Sequence, residues 1–390
     1  MSLDEQTILD LINLRDGVGV LSVFVGITPE RAAEPRPGWP IAIRNELRAL
    51  RQRVKEEGPH ERWVALSERV EKLEPELERL LDASRYGRGR ALFATVVDDR
   101  VETVAIQIPF QDRVVFDRSA YIRPLVAVYD EARPAGIAVV YSRGVRLLEW
   151  RVGEAEELFH EVFTVGGRDW REHTGPAPAQ PLDTRPGGHR RDRYQERVDE
   201  NRNRFLREQA GAVADLANRR SWDRLIVAGD PRLTKSFSEE LHPSPGEQLL
   251  VFDLSWEEEA PNNIAEAAWN QLKTLRRERE RNLVEEAKNR ALAGGTGALG
   301  LDDVLAALNE GRVERLLFDV DASFSGYRTP EGLLYATDQI PTVQETIEEP
   351  LLLERMIERA VTTSAKVTPL EGEGAEALRV HRGVAALLRW

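Results

Sequence analysis

The sequence predicts an α/β protein with three small α/β domains in series. Short runs rich in valine, isoleucine and leucine alternate with stretches whose apolar residues recur at helical spacing, the pattern of sheets layered with helices. A chain of 390 residues is long enough to bury two or three separate cores. Boundaries are read at Arg133-Pro134-Ala135-Gly136 and near Ser255, so the expected domains are 1–134, 135–255 and 256–390.

In the first domain, residues 4–15 read as a short helix and Val20–Ile27 as a strand rich in β-branched residues. Pro29, Pro35, Pro37 and Pro40 predict a loop, because proline lacks the amide donor that helices and ladders use. Ile41–Glu57 and Glu61–Ala83 have the period of two amphipathic helices, expected as an antiparallel pair. Arg90–Val97 and Arg100–Ile108 read as strands turned at Asp98-Asp99, and Tyr121–Tyr129 closes the domain. The second domain opens with Ile137–Tyr141 and Gly144–Arg151 as a hairpin, then a strand at Leu158–Val165. After a long loop and a long helix come the strand Arg224–Gly229, a helix around Ser236–Leu241 and the strand Gln248–Leu254. In the third, Ile264–Leu292 is a long helix broken by Gly294-Gly295-Thr296-Gly297. Leu301–Asn309 is a helix stopped at Gly311, Val313–Val320 a strand, Pro350–Ala360 a helix and Gly383–Trp390 the last strand.

Composition narrows the chemistry. The chain is 41% hydrophobic and 31% charged, as a soluble globular protein is, with a formal charge of −13 that argues against a general nucleic-acid coat but not against a local basic site. Without cysteine there is no disulfide, no thiolate metal site and no cysteine nucleophile. No run approaches the roughly eighteen apolar residues of a membrane span, and Met1-Ser2-Leu3-Asp4-Glu5 lacks the basic-then-apolar order of a signal peptide, so the expected compartment is the cytoplasm. Gly295-Thr296-Gly297-Ala298-Leu299-Gly300 has the letters of a dinucleotide loop but follows a helix, so it is read as a linker and helix start. No phosphate-binding loop ending in Gly-Lys-Ser/Thr and no serine nucleophile elbow occurs, and no cofactor is expected. The histidines at 60, 160, 173, 189, 242 and 381 lack metal-binding spacing; a zinc site would need His160, His173 and His189 to converge, and no metal is expected. Asp302, Asp303, Asp319 and Asp321 read as solvated or capping acids.

The stretch with functional content is Gly166–Arg220. Residues 166–189 hold four prolines and five glycines with only Trp170 and Leu182 as large apolar anchors, which predicts an extended loop without a core of its own. Residues 190–220 contain no proline, and Tyr194, Val198, Phe205, Gln209, Val213 and Leu216 recur as a helical stripe. Between residues 185 and 207 eight arginines face four acids, a net of 8 − 4 = +4 on an acidic chain. The arginine fork bonds two phosphate oxygens at once, so this junction is the candidate polyanion site; the competing reading is a solvated helix with pairs such as Glu200–Arg204 and Asp199–Arg202.

The order of parts, hairpin IAVVYSRGVRLLEW, long loop, Gly187-Gly188 tip, arginine-rich helix and strand LIVAGD, resembles the central domain of the archaeo-eukaryotic class-1 release factors and their relative Pelota. His189 stands where the release factors carry glutamine, and Arg193-Tyr194 is similar to the family's Arg-Phe pair. Gly300–Glu314 and the closing Arg382–Trp390 are similar to segments of the family's third domain, whereas the first domain keeps only a general α/β outline without the Asn-Ile-Lys-Ser stop-codon loop. The pattern looks like the superfamily's bacterial branch, which includes the Balon-type ribosome hibernation proteins. That resemblance implies binding in the ribosomal A site, with the loop toward the peptidyl-transferase centre and the third domain facing a translational GTPase such as elongation factor Tu. The implied RNA-binding residues are Arg185, Gly187, Gly188, His189, Arg190, Arg191, Arg193, Arg197, Arg202 and Arg204. A non-catalytic factor is the expected reading; the alternative is a peptidyl-tRNA hydrolase in termination or rescue, with His189 as the catalytic group.

Overall fold

The computed structural model describes residues 3–35, 37–131, 134–151, 153–164, 188–220, 222, 224–241, 248–337 and 345–390. The chain is a mixed α+β protein. It forms two compact units, one from Met1–Ala132 with Trp269–Trp390 and one from Arg133–Ala268.

The first unit begins with α1 (Glu5–Ile12), capped by Asp4, whose carboxylate accepts from the Thr7 amide at 2.7 Å. Then follow β1 (Arg15–Gly26), α2 (Pro29–Ala32), α3 (Trp39–Glu57), α4 (His60–Lys72), α5 (Glu74–Leu81), β2 (Gly89–Thr95), β3 (Val101–Ile106), β4 (Arg113–Ser119) and α6 (Arg123–Glu131). The sheet runs β3-β2-β1-β4, antiparallel throughout. Its alternating residues Leu21, Val23 and Val25 meet Trp39, Ile43, Leu47, Leu66 and Leu77 of the helices in one core. The helix read over Glu61–Ala83 is two helices, because a proline at 75 inside a continuous helix would strike the carbonyl four residues back; it sits instead in the first turn of α5. Pro40 likewise occupies the first turn of α3, so that helix opens at Trp39, two residues before its expected start.

The second unit is a five-stranded sheet of order β7-β6-β5-β8-β9, made of β5 (Ala135–Tyr141), β6 (Gly144–Arg151), β7 (Glu154–Val162), β8 (Arg224–Gly229) and β9 (Gln248–Phe252). The first three strands form an antiparallel meander, while β8 and β9 continue from β5 in parallel. Among the described residues, the helices wholly within it are α7 (Gly188–Arg220) and α8 (Pro231–Glu240). The strand expected at Leu158–Val165 starts four residues earlier and ends at Val162.

The boundary after Ala268 falls within α9 (Pro261–Leu292). The rest of the first unit comprises β10 (Gly297–Leu299), α10 (Leu301–Asn309), β11 (Val313–Asp319), β12 (Gly326–Arg328), β13 (Leu334–Ala336), β14 (Ile347–Glu349), α11 (Leu352–Thr362), β15 (Lys366–Leu370), α12 (Gly372–Arg379) and β16 (Val384–Leu388). They build a sheet of order β10-β16-β11-β15 and a small one of order β13-β12-β14. Val284 and Ala287 of α9 share a core with Leu317, Leu370, Leu378 and Leu387. The glycine-rich stretch read as a linker is in part strand β10, paired antiparallel to β16. A Cβ at Gly297 would lie 2.5 Å from the Ala291 amide nitrogen, so glycine there lets the strand pass under the end of α9.

Candidate functional site

The second unit is organised around α7, a helix of 33 residues and therefore on the order of 50 Å long. Its C-terminal half is held to the sheet by Leu206, Ala210, Val213 and Ala217, all buried against Ala138, Val140, Leu147, Leu225 and Val227. This stripe is rotated from the expected one. Among the predicted residues whose side chains are described, Val213 alone is fully buried, and Phe205 and Leu216 flank the contact. The reason is close approach: Ala210 and Ala217 bring the helix backbone near the sheet, and the larger side chains take the margins.

The N-terminal half carries the charge. α7 begins at Gly188, so Gly188 and His189 lie in its first turn, earlier than the expected start at Arg190. Arg190, Arg191 and Arg193 follow in the first two turns, and no acid occurs in the first turn. A helix N-terminus already carries about half a positive charge from aligned peptide dipoles, so arginines there oppose helix stability and reinforce attraction for anions. Arg185 and Gly187 lie outside the described residues, as does the rest of the expected loop at 165–187, with His173. Arg197 and Arg204 are exposed and make no ion pair among the described residues, so the expected Glu200–Arg204 pair is absent there. Arg202 differs: it is half-buried, donates to Asp199 at 3.3 Å as one sequence reading expected, and its Nε is buried without a hydrogen-bond partner. Arg207 donates to Glu240 of α8 at 2.9 Å.

Arg202 and Asp199 line a cleft of about 720 Å³ outside the carboxyl ends of the parallel strands β5, β8 and β9, the usual ligand-facing edge of such a sheet. Tyr141, Gly229, Asp230, Asp253 and Glu257 also line it. Its carboxylates outnumber its two guanidiniums, so it is not an anion cradle, and sequence reasoning did not find it because its residues come from three strand ends. His160 bonds the Tyr141 hydroxyl through Nε2 rather than joining a metal cluster, and no group of metal-ligating side chains occurs among the described residues. Asp319 accepts the Asp321 amide at 3.0 Å, a capping role as expected. Among the described residues no helix is long and apolar enough to cross a membrane.

Residues 121–272 match the sequence profile of bacterial archaeo-eukaryotic release factor family 10. The YocB protein of Bacillus subtilis is 21% identical over 225 residues, 57% of this chain and 82% of that protein. An archaeal translation termination factor, aRF1, aligns over 100% of this chain and 99% of its own at 16% identity with a TM-score of 0.25. Pelota of Archaeoglobus fulgidus aligns over 77% and 79% at 18% identity with a TM-score of 0.33. The stretch that matches the bacterial release factor family contains α7.

Proposed function

We propose that this release factor relative is a ribosome-binding translation factor that occupies the A site and directs the N-terminal end of α7 toward the peptidyl-transferase centre. The observation that carries the reading is the start of α7: a long helix in the family-matched segment opens with Gly188 and His189, has no acid in its first turn, and concentrates arginines on a chain of net charge −13. Glycine permits close approach of backbone to RNA, and arginine supplies the bidentate phosphate contact. On this reading Gly187, Gly188 and His189 are the residues that approach the RNA most closely, and Arg185, Arg190, Arg191, Arg193, Arg197, Arg202 and Arg204 are the RNA-binding set.

The factor acts as a non-hydrolytic hibernation protein, with residues 256–390 contacting a translational GTPase such as elongation factor Tu. Hydrolysis of peptidyl-tRNA needs a group that orients water within about 3 Å of the ester carbon. Positioning needs only stacking or a hydrogen bond to RNA, and the rigid imidazole of His189 suffices for that. The alternative, a peptidyl-tRNA hydrolase, is decided by one assay. Added to ribosomes with peptidyl-tRNA in the P site and an empty A site, the protein should cosediment and release no peptide above background. Wild-type release that disappears in His189→Ala would establish the hydrolase instead.

A further inference from the structure

We infer that a pocket in the first unit, lined by Arg85, Tyr86, Arg88 and Arg90, binds a nucleoside monophosphate, with the arginines on the phosphate and the tyrosine ring on the base. Its centre is the run Ser84-Arg85-Tyr86-Gly87-Arg88-Gly89-Arg90, which leads from α5 into β2 and holds three arginines and no acid. Together with Ile27 and Gln107 it encloses about 280 Å³. Among the described residues, no carboxylate lines this space. The cleft of the second unit, by contrast, is lined by Asp199, Asp230, Asp253 and Glu257. On a chain of net charge −13, an acid-free pocket with three guanidiniums selects an anion.

Arg90 shapes the pocket and leaves it charged. The residue is 4% exposed. Its Nε donates to the Gly87 carbonyl at 2.9 Å, one terminal nitrogen to the carbonyls of Leu80 at 2.9 Å and Asp82 at 2.6 Å, and the other terminal nitrogen to that of Arg85. These bonds wrap the turn at 80–87 around the guanidinium. An arginine has five N–H donors, so one is left over, and it has no acceptor among the described residues. Every partner is a carbonyl, and no carboxylate pairs with Arg90 among the described residues. Neutral dipoles solvate a buried cation without cancelling its charge, so its field reaches into the pocket. Arg85 and Arg88 are exposed. Asp82 accepts from the Ser84 amide at 2.9 Å and hydroxyl at 2.8 Å, and it lies 3.8 Å from Arg85, an exposed pair that is worth little and yields to a phosphate. Arg88 makes no ion pair among the described residues, while its carbonyl accepts the Ile27 amide at 2.7 Å, so its guanidinium stands on a held backbone. The arginine fork bonds two phosphate oxygens at once. Tyr86, 61% exposed and set between these two arginines in sequence, offers a ring on which a base stacks. The space holds one phosphate with its sugar and is not the extended groove that tracks a strand, so the ligand is a single nucleotide.

Titration calorimetry of the full-length protein with adenosine 5′-monophosphate tests the site. Wild type should bind one equivalent, and adenosine or inorganic phosphate alone should bind at least about tenfold more weakly, because each forgoes one set of contacts. Arg88→Glu should lower the affinity for the nucleotide at least about tenfold. Tyr86→Ala should lower it about tenfold and leave inorganic phosphate unchanged. Both side chains are exposed, so the circular dichroism of these variants should stay native; Arg90 is left in place because it holds the turn. Since α7 also carries arginines, Arg190→Glu with Arg191→Glu is the control and should bind the nucleotide as wild type does. No binding by wild type at millimolar nucleotide overturns the site, as does equal affinity of wild type and Arg88→Glu, or a loss confined to the α7 variant. A single-stranded oligoribonucleotide that binds through Arg88 where the mononucleotide does not overturns it in favour of a strand.

Discussion

At Gly229 the backbone adopts φ +151°, and a Cβ there would lie 1.9 Å from the Val140 carbonyl oxygen. The residue ends β8 where it lies beside β5, at the rim of the cleft, and the LIVAGD run in the sequence marks it. Gly229→Ala should destabilise the second unit by more than about 2 kcal/mol, measured as faster amide exchange along β5 and β8. Glu149 is a second residue with a defined cost. Burial raises its carboxyl, but hydrogen bonds from Arg151 and Trp222 and the charge of Arg220 outweigh that and hold it below the usual glutamate range. A carboxylate lowered in this way contributes stability above about pH 4.3 that is lost as pH falls through its folded-state value. Urea titrations should therefore show a wild-type midpoint that drops more steeply with acidification than that of Glu149→Gln. Glu149→Leu, which leaves the Trp222 indole N–H unpaired, should cost about 1–3 kcal/mol near neutral pH. Neither the Glu149 partners nor the Arg202 environment could be read from the sequence, because Arg220 and Trp222 lie 71 and 73 residues from Glu149.

Elements with a long period were legible. The helix over 190–220, the strand runs at Val20, Ile137 and Arg224 and the break after Leu292 follow from hydrophobic spacing, proline and glycine. Several elements went unread for want of a pattern, β15 and α12 among them. β10, β12, β13 and β14 have three residues each, too few to show an alternation, and β4 is half-buried along nearly its whole length. The face of α7 was misplaced because alanine carries little hydrophobic signal yet permits the closest approach. For the candidate site, net charge was visible in sequence, but the opposition between that charge and the helix dipole needed the start of α7 at Gly188. It yields a test at the element scale. Arg190→Glu with Arg191→Glu should raise helix stability by about 0.3–1 kcal/mol per residue, since acids suit an N-terminus. The same change should weaken ribosome binding. A variant that is more helical and binds equally well would assign these arginines to a solvated face.

The whole molecule is acidic, and that sets what the basic end of α7 must overcome. Residues 188–207 carry seven arginines and four acids, 7 − 4 = +3, within a chain of −13. A polyanion is attracted only if it meets that end before the rest of the surface, so orientation at encounter is electrostatic and depends on salt. On the function proposed above, the arginines at the start of α7 contact ribosomal phosphate. That contact is tested most directly by measuring the ribosome affinity of wild type and of Arg190→Glu/Arg191→Glu/Arg193→Glu/Arg197→Glu across a range of salt concentrations. Wild-type affinity should fall steeply with salt. The variant should bind far more weakly, with a logarithmic slope smaller by about 3–4, since each arginine replaced leaves one phosphate with its counterion. Equal affinity and equal slope for the two proteins would contradict it.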